Sequence, residues 1–325
     1  MIDINKCQKV REMTRKLTII CYHYVRELKH TRYPGIKGVS LKQFKDQISF
    51  LQKKYTIITM EELIEAIGSA SYKLPRKSVL LTFDDGHIDH FTNVFPVLDE
   101  KSIQGSFFPP AKAVLNNTIL DVNKIQFIIA AVPDKSEIIK FIYSCLDEYR
   151  DMWPLETNQY YYRKLARKWR LDTKEVMFIK RMLQKELPNE IRLKIIDKLF
   201  RKYVGIDEKS FSKELYMSLD QIRCMKRKGM YIGGHGYNHY WMASINSNVQ
   251  EKEVDLTIKF LKRIGGDINN WAMCYPFGSY NNNLISILRN KSCKVGLGMK
   301  LGGADIDKDN HFSLQRIRPN DLPLP

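Results

Sequence analysis

The sequence predicts an α/β fold, a parallel sheet or barrel that is interrupted by a large all-helical insertion. Near both ends of the 325-residue chain, apolar strand-like runs alternate with amphipathic helical segments, which is typical of βα units. Between residues 117 and 217 the strand signals stop and only helical periodicity continues. We therefore divide the chain into a first barrel part (1–116), a helical insertion (117–217) and a second barrel part (218–325).

Strands and helices alternate regularly in the first barrel part. Two helices have clear N-cap residues: Ser40 precedes residues 41–54, and Thr59 precedes residues 60–67. Glu62 lies three residues after Thr59 and completes a capping box. The other elements predicted here are strands over 17–25, 55–59, 79–83 and 104–108 and a helix over 91–101.

The insertion and the second barrel part complete the pattern. The insertion is predicted to contain helices over 124–131, 136–149, 159–170, 174–186 and 190–203. It either buttresses the barrel or forms a lid or a dimer surface, so a homo-oligomer through the insertion is a partner to test for. The second barrel part is predicted to contain helices over 219–228, 249–264 and 281–290 and strands over 230–232, 293–298 and 314–317.

The composition is that of a globular protein with an excess of positive charge. Lysine and arginine number 53 against 36 acidic residues, which gives a formal net charge of +17. This charge fits either a well-solvated lysine-rich surface or attraction to anions, such as a phosphate-bearing sugar, an acidic glycan or the inner membrane leaflet. The sequence has no zinc-finger, helix-turn-helix or aromatic RNA-binding motif, so nucleic acid is not an expected partner.

The N-terminus and the cysteine pattern indicate a cytoplasmic protein. No apolar run approaches the ~20 residues that span a bilayer, so any membrane contact would be peripheral. Residues 1–16 are polar and charged, unlike a secretory signal. The cysteines follow no disulfide framework and are expected to be reduced thiols: Cys7, Cys21, Cys145, Cys224, Cys274 and Cys293.

The run Leu-Thr-Phe-Asp-Asp-Gly is the most informative stretch of the chain. An apolar strand over residues 79–83 delivers two adjacent carboxylates, Asp84 and Asp85, to a turn made by Gly86. Because adjacent strand residues point to opposite faces, the two acids can have different roles. A strand that ends in Asp-Asp-Gly is also an ordinary turn, so the motif alone does not establish a site.

A histidine pair, His235 and His239, follows a second apolar run over residues 230–232. Two histidines four residues apart are common on ordinary surfaces. Together with one carboxylate, however, two imidazoles make a three-ligand metal site with an open position for water. The second carboxylate of the acidic pair would then be left over as a base.

A third segment follows Trp271 and reads Met-Cys-Tyr-Pro-Phe-Gly. In this order and rough spacing, the three segments resemble the motifs of the NodB-type polysaccharide deacetylases (carbohydrate esterase family 4). Tyr22 and His23 resemble the opening strand of the branch of that family that begins with Tyr-His-x-Val. The resemblance covers about residues 15–116 and 218–320.

The resemblance implies a distorted (β/α) barrel of about seven strands, the NodB-type deacetylase fold, with its chemistry at the C-terminal ends of the strands. It makes Asp85, His235 and His239 the ligands of one divalent metal. Zn²⁺ suits two imidazoles and one carboxylate, and Co²⁺, Ni²⁺, Mn²⁺ or Fe²⁺ could take its place.

The same resemblance assigns the remaining catalytic roles. Asp84 is the general base that takes a proton from the attacking water. The backbone N–H of Phe277, which follows Pro276, is the donor that stabilises the oxyanion. His23 matches the histidine that supplies the general acid in the Tyr-His-x-Val branch, although a histidine at a strand end can also be purely structural.

Two further histidines and two departures from the family pattern stay open. His90 and His87, just after the acidic turn, are second choices for the acid or contacts to the substrate. Many family members have an arginine two residues before the proline of the third segment, where it restrains the catalytic aspartate; here Cys274 occupies that position. Gly236 stands where serine or threonine is common in the family, so the hydroxyl that would brace the histidine loop is missing. Because Cys274 replaces the arginine, another residue must hold Asp84.

The sequence thus predicts a metal-dependent hydrolase that removes an acetyl group from an N-acetylated sugar. With a cytoplasmic location, the expected substrate is a glycan precursor, a nucleotide-linked or lipid-linked and hence phosphate-bearing sugar, or else a polysaccharide. The two departures favour an alternative from another class, a catalytically impaired carbohydrate-binding or scaffold protein on the same barrel.

Overall fold

A computed structural model of the protein describes residues 13–170, 172–299 and 302–322. The described residues group into two compact units. The sheet unit comprises the described residues up to Arg26, Gly38–Asn116 and the described residues from Lys213 onwards. The helical unit comprises Glu27–Lys37 and Asn117–Ser212. Residues 27–37 therefore group with the helical unit, although the sequence-based division puts them in the first barrel part.

The sheet unit is built on short strands that are mostly parallel. In chain order they are β1 (Met13–Thr14), β2 (Lys16–Tyr22), β3 (Thr56–Ile57), β4 (Leu74–Pro75), β5 (Ser78–Asp84), β6 (Ser106–Phe108), β7 (Tyr231–Ile232), β8 (Trp271–Cys274), β9 (Cys293–Leu297) and β10 (Ala304–Asp305). Strands β2, β5, β6 and β7 are successive parallel neighbours, and β3 lies parallel to β5. Strands β8 and β9 form a separate parallel pair, while β10 lies antiparallel to β2 and β1 to β4.

Single bridges join the main sheet and the β8–β9 pair into a ring. Gly234, just after β7, forms a parallel bridge with Met273 of β8. Residues 314–317, predicted as the last strand, run between β9 and β2, because Leu314 bridges the former and Ile317 the latter. Across the ranges described, seven parallel segments make up the ring: β2, β5, β6, β7, β8, β9 and 314–317. The predicted distorted (β/α) barrel is therefore confirmed.

Helices cover the sheet unit and make up most of the helical unit. They are α1 (Leu41–Lys54), α2 (Met60–Gly68), α3 (Phe95–Glu100), α4 (Ala111–Asn116), α5 (Asp121–Ala131), α6 (Lys135–Tyr149), α7 (Asn158–Leu165), α8 (Lys174–Arg181), α9 (Asn189–Tyr203), α10 (Glu208–Leu215), α11 (Leu219–Arg227), α12 (Ser247–Arg263) and α13 (Asn282–Asn290). π-Helical turns cover His90–Val94 and Met182–Glu186, and 3₁₀ turns cover Met242–Ser244, Pro276–Gly278 and Pro319–Asp321.

Local capping explains where the first helices begin. The Ser40 hydroxyl accepts a hydrogen bond from the backbone N–H of Gln43 at 3.1 Å. Thr59 and Glu62 form the predicted capping box in both directions. Each cap satisfies backbone N–H groups that the first helical turn leaves without a partner, so these boundaries follow from the sequence alone.

Two predicted helices differ from the observed ones. The helix predicted over 159–170 ends at Leu165, where the Arg181 guanidinium donates to the Leu165 carbonyl oxygen at 2.6 Å and satisfies a helix end. The helix predicted over 91–101 begins as the π-helical turn His90–Val94. Pro96 lies in the first turn of α3 and has no N–H to continue an α-helical ladder, so the upstream backbone widens.

The core of the sheet unit positions the strand ends that carry chemistry. All seven residues of β5 are buried, as expected for a strand covered on both faces of a parallel sheet. The Phe83 ring stacks between Tyr22 and Phe107, with centroid distances of 5.1 and 4.7 Å. These aromatic contacts align β2, β5 and β6 up to the residue before Asp84, so its carboxylate leaves a rigid strand end.

In the helical unit, a buried lysine joins three helices. Lys124 of α5 is 6% exposed, and its ammonium group contacts Asp197 at 2.8 Å and Glu208 at 3.0 Å. The two carboxylates keep this buried amine protonated: burial lowers its pKa, but the ion pairs outweigh that effect and raise it.

Two of the sequence-based expectations concern the whole chain. Among the described residues, no helix is both long and apolar enough to cross a membrane. The cysteines in the described part are free thiols, as predicted: Cys21, Cys145, Cys224, Cys274 and Cys293. Cys7 lies outside the described residues.

Candidate active site and metal centre

The acidic pair occupies the C-terminal end of β5, where the chain turns sharply. Asp84 is the last strand residue, and Asp85 and Gly86 follow with φ angles of +71° and +65°. A Cβ on Gly86 would lie 2.7 Å from the Cβ of Pro109, so glycine is required there both by conformation and by space. The turn sends the two carboxylates to different partners.

The histidine loop follows β7 and is held by a buried glutamate. Glu253 of α12 accepts hydrogen bonds from the backbone N–H groups of Tyr237 and Asn238, at 3.0 and 2.8 Å. Its side chain thereby braces the loop at the place where Gly236 lacks the hydroxyl that is common in the family. Sequence analysis missed Glu253, whose only signal was a glutamate on the apolar side of an amphipathic helix.

Asp85, His235 and His239 converge. The Asp85 Oδ1 atom lies 3.3 Å from Nε2 of His235 and 3.3 Å from Nε2 of His239, and all three residues are buried. Zn–N and Zn–O bonds of about 2.0–2.1 Å at a tetrahedral angle give an edge of about 3.3 Å, so the two edges from Asp85 to the histidines match a zinc site.

The orientation of His235 also suits a metal ligand. Its Nδ1 donates to the carbonyl oxygen of Cys274 at 2.8 Å, so Nδ1 carries a proton, and Nε2, which lies 3.3 Å from Oδ1 of Asp85, is the nitrogen that faces the triad. Metal-binding histidines commonly have such a second hydrogen bond, which fixes the tautomer and the ring. The donor set of the triad therefore fits a divalent cation.

Asp85 and His239 have the charges that a cation site needs, whereas the pKa of His235 is raised. Burial raises the pKa of Asp85, but hydrogen bonds from His235 and His239 outweigh it, so its pKa lies well below the usual range. Burial lowers the pKa of His239 and keeps that ring neutral. For His235, burial lowers the pKa but the Asp85 contact dominates and raises it, so a cation binding there would displace a proton.

Asp84 has a different environment, dominated by Arg316. The guanidinium binds the carboxylate in a fork, with Nη1 2.9 Å from Oδ1 and Nη2 2.7 Å from Oδ2. The thiols of Cys21 and Cys274 also donate to Oδ2, at 3.3 and 3.2 Å. Burial raises the pKa of Asp84, but the charge and hydrogen bonds of Arg316 outweigh it and hold the pKa far below its usual range.

Arg316 supplies the restraint that the sequence left unassigned. It comes from the 314–317 segment and is anchored there, since Nε donates to the carbonyl oxygen of Gly298 at 2.9 Å. Cys274 takes the position of the family arginine, and an arginine from another strand reaches the same carboxylate. The available signal was a charged residue between Leu314 and Ile317 in a predicted barrel strand, because a charged side chain that a strand buries needs a partner inside the protein.

Phe277 lies beside the histidines in a strained backbone conformation. Its φ angle is +56°, inside the 3₁₀ turn Pro276–Gly278. Its ring contacts His239 edge-on at 4.8 Å and stacks on Trp241 at 4.3 Å. Asp85 and His239 (φ +59°) also have left-handed backbones, so three predicted site residues carry the backbone strain that is typical of functional sites.

His23 lies at the end of β2, next to the site. Its Nδ1 is 3.7 Å from the Cys21 sulfur, and its ring nitrogen, that sulfur and an Asp84 oxygen all lie within 4.8 Å of one another. The side chain is partly exposed, whereas Asp84 is buried. The structure thus brings His23 together with the predicted base, and its role as the acid stays a prediction.

His90 is not where a substrate contact was expected. Its ring is fully buried, and Nε2 donates to the backbone carbonyl oxygen of His23 at 2.8 Å. His90 therefore holds the end of β2 from inside the protein and presents no surface to a substrate. His87, the other second choice, is also fully buried. The predicted roles of both histidines as acid or substrate contact stay predictions, and a sequence does not reveal which side of a turn is covered.

The His90 environment predicts a pH dependence of stability. Burial lowers the pKa of His90 from 6.5 to about 4. In the unfolded chain His90 is protonated below about pH 6.5, whereas in the folded chain it is protonated only below about pH 4. The free energy of unfolding therefore falls as the pH falls through this window, by about 3 kcal/mol in total. His90→Gln keeps a donor for the His23 carbonyl. Between pH 7 and pH 4 its free energy of unfolding should fall by about 3 kcal/mol less than that of the wild type. Urea unfolding of both proteins between pH 7 and pH 4 tests this; parallel pH curves would contradict it.

Comparison with known proteins places the chain in a family. A family model described as polysaccharide deacetylase matches residues 71–140 and 199–296, together just over half of the chain. The chain belongs to the polysaccharide deacetylase family. The predicted NodB-type relationship is thereby confirmed, and membership assigns the chain to the carbohydrate deacetylases, hydrolases that remove acetyl groups from sugars.

Solved structures agree on the fold of this family member. A Streptococcus pyogenes deacetylase, PplD, in complex with acetate has a TM-score of 0.58 at 18% identity, over 94% of this chain and 93% of that one. IcaB from Ammonifex degensii has a TM-score of 0.54 at 18% identity (93% and 91% covered). The BpsB deacetylase domain from Bordetella bronchiseptica has a TM-score of 0.56 at 14% identity (94% and 97% covered). Among curated proteins, none matches the sequence significantly.

Proposed function

We propose that this polysaccharide deacetylase family member is a metal-dependent hydrolase that removes the acetyl group from an N-acetylated sugar. The observation that carries the proposal is the convergence of Asp85, His235 and His239 beside a separate carboxylate, Asp84. Three buried ligands leave coordination positions for water and substrate, as in other hydrolytic zinc sites.

The metal would be held by the Asp85 carboxylate and by Nε2 of both histidines. A borderline-soft ion suits this donor set, so Zn²⁺ is our first choice, with Co²⁺, Ni²⁺, Mn²⁺ and Fe²⁺ as alternatives. Bound there, a divalent metal polarises the acyl carbonyl and makes water nucleophilic near neutral pH.

Asp84 is the base in this proposal. Its Oδ2 atom accepts from Arg316, Cys21 and Cys274, whereas the hydrogen bonds described for Oδ1 come from Arg316 alone. We therefore assign Oδ1 as the atom that takes the proton of the attacking water. The lowered pKa of Asp84 keeps the carboxylate ionised and able to accept a proton at neutral pH, and it also makes Asp84 a weaker base than an ordinary aspartate.

The remaining steps need an oxyanion donor and an acid. The N–H of Phe277, after Pro276, is the proposed donor to the oxygen that becomes negative as water adds to the carbonyl carbon. When the C–N bond breaks, acetate leaves and the sugar nitrogen needs a proton. His23 is the proposed source, because it is partly exposed and its ring lies near the site carboxylates.

For the substrate, we propose a phosphate-bearing N-acetyl sugar, nucleotide-linked or lipid-linked, over a finished polysaccharide. The support is the net charge of +17, which attracts anions. Acetate release from nucleotide-linked N-acetyl sugars should exceed release from chitin-type oligomers at low salt and lose this advantage at high salt. Activity on the oligomers alone would contradict the substrate class.

The cytoplasmic location and a homo-oligomer stay predictions, which cell fractionation and light scattering would check.

The direct test of the activity is acetate release with and without metal. The protein stripped with a chelator should release no acetate from N-acetyl sugars, and one equivalent of Zn²⁺ should restore release. Metal-independent release would contradict the metal dependence.

The alternative, an impaired carbohydrate-binding or scaffold protein, rested on Cys274 and Gly236. Arg316 and Glu253 compensate for both departures, so no observation now favours it.

A further inference from the structure

We propose that His87 is a positioning residue that fixes the Asp85 carboxylate for the metal. The inference rests on the proposed function and extends it, because it names the residue that decides which oxygen of Asp85 faces the ion. His87 was expected to be a second choice for the acid or a substrate contact, and in the structure it is completely buried.

The two oxygens of Asp85 face different groups. Oδ1 lies 3.3 Å from each of the two ligand histidines, His235 and His239. Oδ2 lies 3.5 Å from Nε2 of His87. In the described part of the chain, the ligand atoms that gather within 4.8 Å around Oδ1 come from Asp85, His235 and His239, and His87 is not among them. His87 is therefore on the Oδ2 side of the Asp85 carboxylate. From there it can orient the carboxylate but cannot serve as a ligand in its place.

Two tyrosine rings lie nearly parallel to the His87 ring. It stacks on Tyr24 with a centroid distance of 3.9 Å and on Tyr216 at 6.0 Å, with interplanar angles of 18° and 12°. Its backbone pairs with Tyr216, and Met217 N–H donates to the Gly86 carbonyl oxygen at 3.0 Å. These contacts restrain the ring with its Nε2 edge toward Asp85.

The two ring nitrogens of His87 indicate a polar role beyond packing. A residue that only filled the space between two tyrosine rings could be phenylalanine, whereas a buried polar group is expensive unless it is hydrogen-bonded. Neither nitrogen of the His87 ring has a hydrogen bond of ordinary length in the structure. The approach of Nε2 to Oδ2 is an elongated contact, which a small rotation of the Asp85 carboxylate would shorten. A proton on Nε2 then faces Oδ2, and Nδ1 keeps only a lone pair.

The contact has a definite consequence for metal binding. With Oδ2 held by His87, the carboxylate presents Oδ1 to the ion in one orientation. Without the donor, the carboxylate must be ordered by the ion itself. Partners of this kind contribute about 10- to 100-fold to metal affinity in comparable sites.

The test compares zinc affinity in matched variants of the full chain. Competition with a chromophoric chelator would give the Zn²⁺ dissociation constant of the wild type, His87→Phe and His87→Gln. The Phe variant keeps the ring stack and loses the donor; the Gln variant loses the ring and keeps an amide N–H near Nε2. His90→Phe is the matched control, because it removes an equally buried imidazole, 5.8 Å from the His87 ring, that bonds to a backbone carbonyl instead of a ligand.

We expect His87→Phe to bind Zn²⁺ about 10- to 100-fold more weakly. His87→Gln should recover most of the affinity, and His90→Phe should keep that of the wild type. Wild-type affinity in His87→Phe would overturn the inference while leaving the proposed function intact. So would an equal loss in the His90→Phe control, since it would indicate general packing. A wild type that binds no zinc would overturn the proposed function as well. If His87→Phe does not fold, His87→Met takes its place as the variant without a donor.

Discussion

Replacing Arg316 by methionine should lower the free energy of unfolding by about 3–5 kcal/mol. The Asp84–Arg316 pair is almost completely inaccessible, with side-chain exposures of 3% and 1%. Removing the guanidinium leaves the Asp84 carboxylate buried without its counter-charge, and the donors that remain to it among the described residues are the thiols of Cys21 and Cys274. Urea unfolding of the two proteins measures the loss.

The control for this prediction is the double variant Arg316→Met/Asp84→Asn. Because asparagine is neutral, the double variant should recover a large part of the stability that Arg316→Met loses, and the cycle gives the coupling between the two side chains. A loss below 1 kcal/mol in the single variant, or no recovery in the double variant, would contradict the role of Arg316 as the group that holds Asp84.

The second large effect concerns the rate. Asp84→Asn should lower kcat by about 10²- to 10⁴-fold, because the amide cannot accept the proton of the attacking water. The Zn²⁺ affinity should stay close to that of the wild type, since Asp84 is not a ligand in this account. Steady-state acetate release and chelator competition measure the two quantities.

Asp89→Asn is the matched control for the rate. Asp89 is another buried carboxylate held by an arginine, since Arg26 donates to it at 2.7 and 2.6 Å, yet it lies outside the proposed machinery. Its neutralisation should change kcat far less. An Asp84→Asn enzyme with nearly full activity, or an equal loss in Asp89→Asn, would remove Asp84 from the role of base.

Contiguous motifs were readable from the sequence because their geometry is local. The capping box of Thr59 and Glu62 spans one helical turn. Asp84 and Asp85 are neighbours at a strand end, and strand alternation already separates their roles. His235 and His239 follow the end of another strand of the same barrel, and parallel strands bring their C-terminal ends to one side. Local spacing and one fold-level rule thus predicted that one carboxylate and the two histidines would meet, and the family resemblance selected Asp85 as the ligand.

The residues that sequence analysis missed act over long separations. Arg316 reaches Asp84 across 232 positions of the chain, so its partner depends on where the 314–317 segment enters the ring. Glu253 meets the histidine loop only after α12 packs against it. The burial of His90 was unpredictable for the same reason, because it depends on what covers the turn. Pairing and burial are tertiary properties, and spacing in a single sequence does not encode them.

The most direct test of the central claim is a crystal structure of the protein grown with zinc, with anomalous diffraction measured at the zinc edge. The account predicts one zinc peak about 2.0–2.2 Å from an Asp85 oxygen and from Nε2 of His235 and His239, with Asp84 close by but not bound. A zinc ion elsewhere, or these three side chains intact around a site that never fills, would contradict it.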